Sequence, residues 1–74
     1  MNTATYSFQQ LNEAVESCTS HSLRLNKDDD GKTIYILLDA HGNACGKPFY
    51  DLFEVEDFVC NSDEVHDYLL QIKK

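Results

Sequence analysis

The first third of the chain carries apolar residues at the spacing of an α-helix. Four of them recur three or four positions apart and form one stripe on a helix surface: Phe8, Leu11, Val15 and Cys18. Ser7 stands three residues before Gln10, the pattern of a capping box in which two side chains satisfy free amides at a helix start. We therefore predict a first helix from Ser7 to Thr19.

The middle of the chain changes to a period of two, which is typical of β-strands. Leu23 and Leu25 alternate with polar residues, and Thr33 to Asp39 forms a second, more apolar run. Between them, Asp28-Asp29-Asp30-Gly31 predicts a hairpin turn, because Asp and Gly tolerate the positive φ that tight turns need.

A second turn and a third strand are predicted next. His41-Gly42-Asn43 has the composition of a turn, and Ala44 to Phe49 is long enough for a short strand. Pro48 within that run indicates a sheet edge, because proline has no N–H to donate to a β-ladder.

The last third of the chain returns to helical spacing. Asp51 is placed to cap a short helix, and a further helix follows the interruption at Asn61-Ser62. The apolar positions of these two helices are Leu52, Val55, Phe58 and Val59, then Val65, Leu69 and Ile72. The order α-β-β-β-α-α predicts one α+β domain over residues 1–74, a three-stranded antiparallel meander with helices packed on one face.

The second predicted strand is apolar on both faces. If Ile34, Ile36 and Leu38 face the helices, Tyr35 and Leu37 lie on the open face of the sheet. An apolar patch there would mark a contact site for a second copy or another subunit. The alternative is that both side chains pack against Arg24 and neighbouring side-chain stems, or that a helix wraps round to cover this face.

The charge balance points to a class of partner. Thirteen acidic residues against six basic ones give a net charge of −7, which disfavours direct binding to nucleic acid or to an anionic membrane. No Lys or Arg occurs between Pro48 and Ile72, and such a segment attracts a basic partner. The acidic residues of that segment are Asp51, Glu54, Glu56, Asp57, Asp63, Glu64 and Asp67.

The spacing of these carboxylates suggests mimicry of a nucleic acid. Glu54 with Asp57, and Asp63 with Asp67, are three or four residues apart, which places their Cβ atoms about 5–6 Å apart on a helix. With side-chain reach, that spacing approaches the roughly 7 Å between neighbouring phosphates of one strand. The alternative is a solvated helical face that is charged for solubility.

Metal and catalytic sites are weaker hypotheses. Asn26-x-Asp28-x-Asp30-Gly31 matches the first half of a calcium loop, but Leu37 occupies the twelfth position, where a glutamate is needed. Cys18-x-x-His21, His41-x-x-x-Cys45 and Cys60-x5-His66 leave a small zinc domain as a less favoured alternative. No signature of a nucleophile with its base surrounds these residues, so we expect neither an enzyme nor a cofactor.

The bulk properties complete the hypothesis. Three cysteines without a disulfide pattern, no apolar stretch of spanning length and no signal peptide predict a cytoplasmic protein. In size, charge and composition the chain is similar to small acidic phage-encoded inhibitors of bacterial defence systems, such as anti-CRISPR proteins and DNA mimics. The leading expectation is therefore a non-enzymatic inhibitor that occupies a basic, nucleic-acid-binding surface of a larger partner. The alternative is a self-associating or subunit-docking module that uses Tyr35 and Leu37.

Overall fold

The computed structural model describes residues 4–73 and gives the chain an α+β fold. Within this range there are three helices and one two-stranded antiparallel sheet. The elements are α1 (Phe8–Cys18), β1 (Ser22–Lys27), β2 (Thr33–Leu38), α2 (Leu52–Val59) and α3 (Asp63–Lys73). The predicted α+β class is confirmed, whereas the third strand and the order α-β-β-β-α-α are wrong.

Helix α1 begins at the predicted capping box and occupies the centre of the fold. The Gln10 amide donates to Ser7 Oγ at 3.2 Å, and the Ser7 amide donates to Gln10 Oε1 at 3.0 Å. Leu11, Ala14 and Val15 of this helix are buried. Helix α1 packs against β1, α2 and α3, and its contacts are the most extensive apart from those between the two strands.

The two turns that follow β1 and β2 have the same construction. In each, an Asp carboxylate accepts backbone amides from the second and fourth residues after it, and a glycine with a φ of +83° follows as the third. The pairs are Asp28 with Gly31 and Asp39 with Gly42. Glycine adopts this left-handed conformation without steric cost, so both predicted turn signals were correct.

The segment after the second turn follows β2 without forming a strand. Leu38 pairs with Ala44 and Tyr35 pairs with Phe49, so β2 advances three residues (38 to 35) while the segment advances five (44 to 49). The two extra residues interrupt a regular ladder. Gly46 lies in this interval at a φ of +69°, and Pro48 has no amide to donate.

The face of the sheet that packs against the helices is the one that the sequence pattern predicted to be open. Leu23 is opposite Leu37 and Leu25 is opposite Tyr35, so all four side chains share a face. Leu23 belongs to the buried core cluster, and Tyr35 and Leu37 pack against it. The ring centroid of Tyr35 lies 5.7 Å from that of Phe8, the first residue of α1. The prediction that Tyr35 and Leu37 occupy an open sheet face is therefore wrong.

Candidate partner-binding surface

The structure separates the seven predicted acidic contact residues into one that is buried and six that are exposed. Glu56 is only 9% exposed. The exposed six are Asp51, Glu54, Asp57, Asp63, Glu64 and Asp67. A buried side chain has no surface to offer a partner, so Glu56 does not belong to the candidate surface.

Glu56 instead holds the segment that leads into α1. Its Oε1 accepts the amide of Thr5 at 2.8 Å and the amide of Tyr6 at 2.9 Å. Two donors on one buried carboxylate oxygen offset the cost of removing that group from water. Sequence spacing gave no signal of this role, because Glu56 follows Val55 on a helix whose other acids are exposed.

Four of the exposed carboxylates have a local structural explanation. Asp51 is the N-cap of α2, and its Oδ1 accepts the Phe53 amide at 2.9 Å. Glu54 lies in the first turn of α2, and Asp63 and Glu64 lie in the first turn of α3. Negative charge at a helix N-terminus stabilises the helix through its dipole. These four residues therefore need no partner to account for their charge.

Asp57 and Asp67 have no such explanation. Asp57 is in the last turn of α2, where the helix dipole disfavours an anion, and Asp67 is in the middle of α3. Both are exposed, and neither forms an ion pair with a cation in the described part of the chain. They are the strongest candidates for contacts with a basic partner.

The electrostatic environment at the end of α2 is reflected in a thiol. Burial raises the pKa of Cys60 above its ordinary value, and the carboxylates of Glu56 and Asp57 raise it further. The carboxylates of Glu56 and Asp57 therefore both act on the thiol of Cys60, the residue that immediately follows α2.

The cations with described side chains lie elsewhere in the fold. All four are exposed and belong to the hairpin and the segment that follows it: Arg24, Lys27, Lys32 and Lys47. The described parts of α2 and α3 carry acidic side chains without Lys or Arg up to Ile72. Four carboxylates, those of Asp28, Asp29, Asp30 and Asp39, balance these four cations in the hairpin region, so the excess negative charge of the chain lies on the helices.

An apolar groove opens between the helices and the end of the sheet. Its volume is about 420 Å³. Val15 of α1, Leu37 of β2 and Val65 of α3 contribute its walls, together with Phe58 and Val59 of α2. Phe58 is 49% exposed although it is a large aromatic side chain, so the groove presents apolar surface to solvent.

Four polar residues also line this groove: Thr19, His21, Asn61 and Ser62. His21 also acts electrostatically on Asp39, whose pKa is lowered chiefly by the amides of Asn43 and His41. No feature of the sequence marked this groove, because Phe58 occupies an apolar helical position that reads as core.

The two predicted sheet-face contacts have different positions relative to the groove. Tyr35 pairs with Phe49 through two backbone hydrogen bonds of 2.8 Å and stacks near Phe8, away from the groove lining. Leu37 lines the groove and remains half-buried. Leu37 can thus contact a partner only from the helix side of the sheet.

The predicted metal-ligand pairs do not converge in the part of the chain that the structure describes. No three His, Cys, Asp or Glu side chains among residues 4–72 are gathered as ligands for one metal ion. The thiols of Cys18, Cys45 and Cys60 are free and partly buried. Cys18 Sγ donates to the carbonyl of Glu64 at 3.5 Å, which joins α1 to α3 instead of to His21.

Two broader findings bear on classification. Among residues 4–73, no helix is both long and apolar enough to cross a membrane. Comparison of the chain with known protein families, curated proteins and solved structures finds no match.

Proposed function

We propose that this chain is a non-enzymatic binding module that docks its acidic helices on a basic surface of a larger protein. The carrying observation is the position of Asp57 and Asp67, two exposed carboxylates without a capping role or an internal cation. Charged groups arranged in this way speed association with an oppositely charged surface and select for it.

The proposed partner surface is one that otherwise binds nucleic acid. Exposed carboxylates recur on α2 and α3 at helical spacing, as Glu54 with Asp57 and Asp63 with Asp67. Residues so spaced are surface neighbours on a helix, and a protein groove that binds phosphates presents Lys and Arg at comparable intervals. Occupation of that groove would inhibit the partner by excluding its nucleic acid.

The test compares two variants with the same change of net charge. Asp57→Asn with Asp67→Asn, and Glu13→Gln with Glu16→Gln on α1, each change the charge from −7 to −5. Immobilised wild-type protein and both variants are incubated with a lysate of the organism that encodes the chain, at low and raised salt, with and without DNA. Captured proteins are identified by mass spectrometry.

The proposal predicts one pattern of capture. A basic protein is retained by the wild type and by the α1 variant, is displaced by DNA, and is retained about tenfold less by the Asp57/Asp67 variant. Equal loss on both variants would show that net charge alone is responsible. Retention that is insensitive to salt, DNA and both variants would contradict the proposal.

A further inference from the structure

We infer that the groove between α1, α2, α3 and the end of β2 receives an apolar side chain from a basic amphipathic segment of the partner. This inference rests on the proposed function and names the mode of binding. The groove holds about 420 Å³, enough for one or two large side chains but not for a folded domain.

The lining of the groove supports an apolar anchor. Leu37, Phe58 and Val65 converge on it from three elements of the fold. Phe58 keeps half of its surface in water, and covering that surface is favourable. A hydrophobic side chain enclosed near the centre of an interface contributes more to binding than the polar contacts around it.

Acidic residues next to the lining of the groove favour a basic occupant. Along the chain, Asp57 immediately precedes Phe58 and Asp63 immediately follows Ser62, and both acidic residues are exposed. Asp39 interacts electrostatically with His21, which lines the groove. No Lys or Arg is among the lining residues. Lysine or arginine on either side of an apolar anchor therefore complements this groove.

A second copy of this chain fits the groove less well. Each copy carries a net charge of −7, so approach of the acidic helices to one another is opposed by long-range repulsion. A short cationic segment gains from the same field. Self-association is nevertheless measurable as an outcome of the test.

The experiment uses three synthetic peptides as probes. The first is a short amphipathic helix of leucine and lysine. The second has serine in place of leucine and so keeps only the charge, and the third has glutamate in place of lysine and so keeps only the apolar face. Binding of each labelled peptide to the full chain is measured by fluorescence anisotropy at low and raised salt, with amide NMR shifts to locate the contact.

Two groove variants, the acidic-surface variant Asp57→Asn and one control complete the design. Phe58→Ser removes the exposed aromatic wall, and Asn61→Trp places a bulky side chain at the groove lining from an exposed turn without removing a core contact. Leu70→Ser is the matched control, because Leu70 is 45% exposed and does not line the groove. Circular dichroism and sedimentation check that each variant is folded and monomeric.

The inference predicts that the leucine–lysine peptide binds at least about tenfold more tightly than the serine–lysine peptide. Phe58→Ser and Asn61→Trp should remove most of that difference, and Leu70→Ser should leave it unchanged. Amide shifts should centre on His21, Leu37 and Asn61.

Three results would overturn it and leave distinct conclusions. Equal binding of the two lysine peptides that depends on Asp57 would retain the acidic surface and remove the groove. Equal binding of the lysine and glutamate forms of the leucine peptide would remove the requirement for a basic segment. Peptide-independent dimers that are broken by Phe58→Ser would assign the groove to a second copy. Failure of the proposed function is distinguishable from all three results. In that case, binding of the serine–lysine peptide would be the same for Asp57→Asn and the wild type.

Discussion

Glu56 Oε1 accepts the backbone amide of Tyr6 at 2.9 Å, across fifty residues of sequence. Tyr6 is itself buried and precedes Ser7, the N-cap of α1. The bond thus fixes the entry of α1 against α2. One of the seven acidic residues that the sequence predicted as partner contacts is therefore a component of the folded core.

We predict that Glu56→Ala lowers the free energy of unfolding by about 2–3 kcal/mol, because it leaves the buried amide of Tyr6 and the partly buried amide of Thr5 without their charged acceptor. This is a large share of the roughly 4–11 kcal/mol expected for a chain of this length. Urea denaturation at neutral pH measures the change. Hydrogen exchange should accelerate at the amides of Thr5 and Tyr6.

Two further variants separate the hydrogen bonds from the charge. Glu56→Gln keeps a carbonyl oxygen for the same amides and should destabilise less than Glu56→Ala. Glu16→Ala, at an exposed position of α1, should change stability by no more than about 0.5 kcal/mol. If Glu56→Ala behaves like Glu16→Ala, the two hydrogen bonds do not contribute to stability.

Features encoded by neighbouring residues could be predicted from the sequence. The capping box of Ser7 and Gln10, the Asp51 cap and the glycine turns each depend on residues within four positions of one another. Their hydrogen bonds form whatever the rest of the fold does. The helices and the hairpin were predicted correctly for that reason.

Features that depend on residues distant in the chain could not be predicted from the sequence. Strand β2 is apolar at five consecutive positions, Ile34 to Leu38, so a period of two does not say which face meets the helices. The ladder after the second turn fails because its register slips by two residues around Gly46, which composition alone does not reveal. The burial of Glu56 requires knowledge of where residues 5 and 6 lie.

The second prediction concerns Asp39 and pH. Backbone amides lower the pKa of Asp39 in the folded protein relative to the unfolded chain, where it is near about 4. A lowered carboxyl pKa stabilises the folded state above the unfolded pKa, and this contribution is lost as pH falls through the folded pKa. Asp39→Asn should therefore lower Tm at neutral pH, and the difference from the wild type should shrink as pH falls through the folded pKa of Asp39.

Thermal unfolding of both proteins from acidic to neutral pH tests this dependence. Asparagine keeps an oxygen for the amides of His41 and Asn43, so the difference reports the charge. Asp29→Asn, at an exposed position of the other turn, makes the same change of net charge and is the matched control. A Tm difference for Asp39→Asn that is constant with pH would contradict the prediction.

The third prediction concerns the reactivity of Cys60. Burial and the nearby carboxylates of Glu56 and Asp57 raise the pKa of its thiol, so less thiolate is present at a given pH. In a protein with Cys18→Ser and Cys45→Ser, alkylation by iodoacetamide should reach half of its maximal rate at a higher pH than in the urea-unfolded chain.

Asp57→Asn should move that midpoint part of the way down, because burial, the largest cause, remains. Asp63→Asn carries the same change of charge at a residue that is not among the causes of the shift, and should leave the midpoint in place. If both variants act equally, the field at Cys60 comes from the net charge of the protein and not from the end of α2.

The fourth prediction tests which face of the sheet meets the helices. Leu37 is opposite the buried Leu23, whereas Ile36 is opposite the exposed Arg24. Leu37→Glu places a carboxylate against the core and should lower the free energy of unfolding by about 2–4 kcal/mol. Ile36→Glu gains a cross-strand pair with Arg24 and should cost at most about 1–2 kcal/mol.

Urea denaturation of the two variants compares the same new side chain at adjacent positions of one strand, so the introduced group and the net charge are matched. The conclusion depends on which of the two variants loses more free energy of unfolding. A greater loss for Leu37→Glu follows from helices packed over Leu23 and Leu37. A greater loss for Ile36→Glu would reverse the faces, return Tyr35 and Leu37 to solvent, and remove the wall that Leu37 gives to the groove.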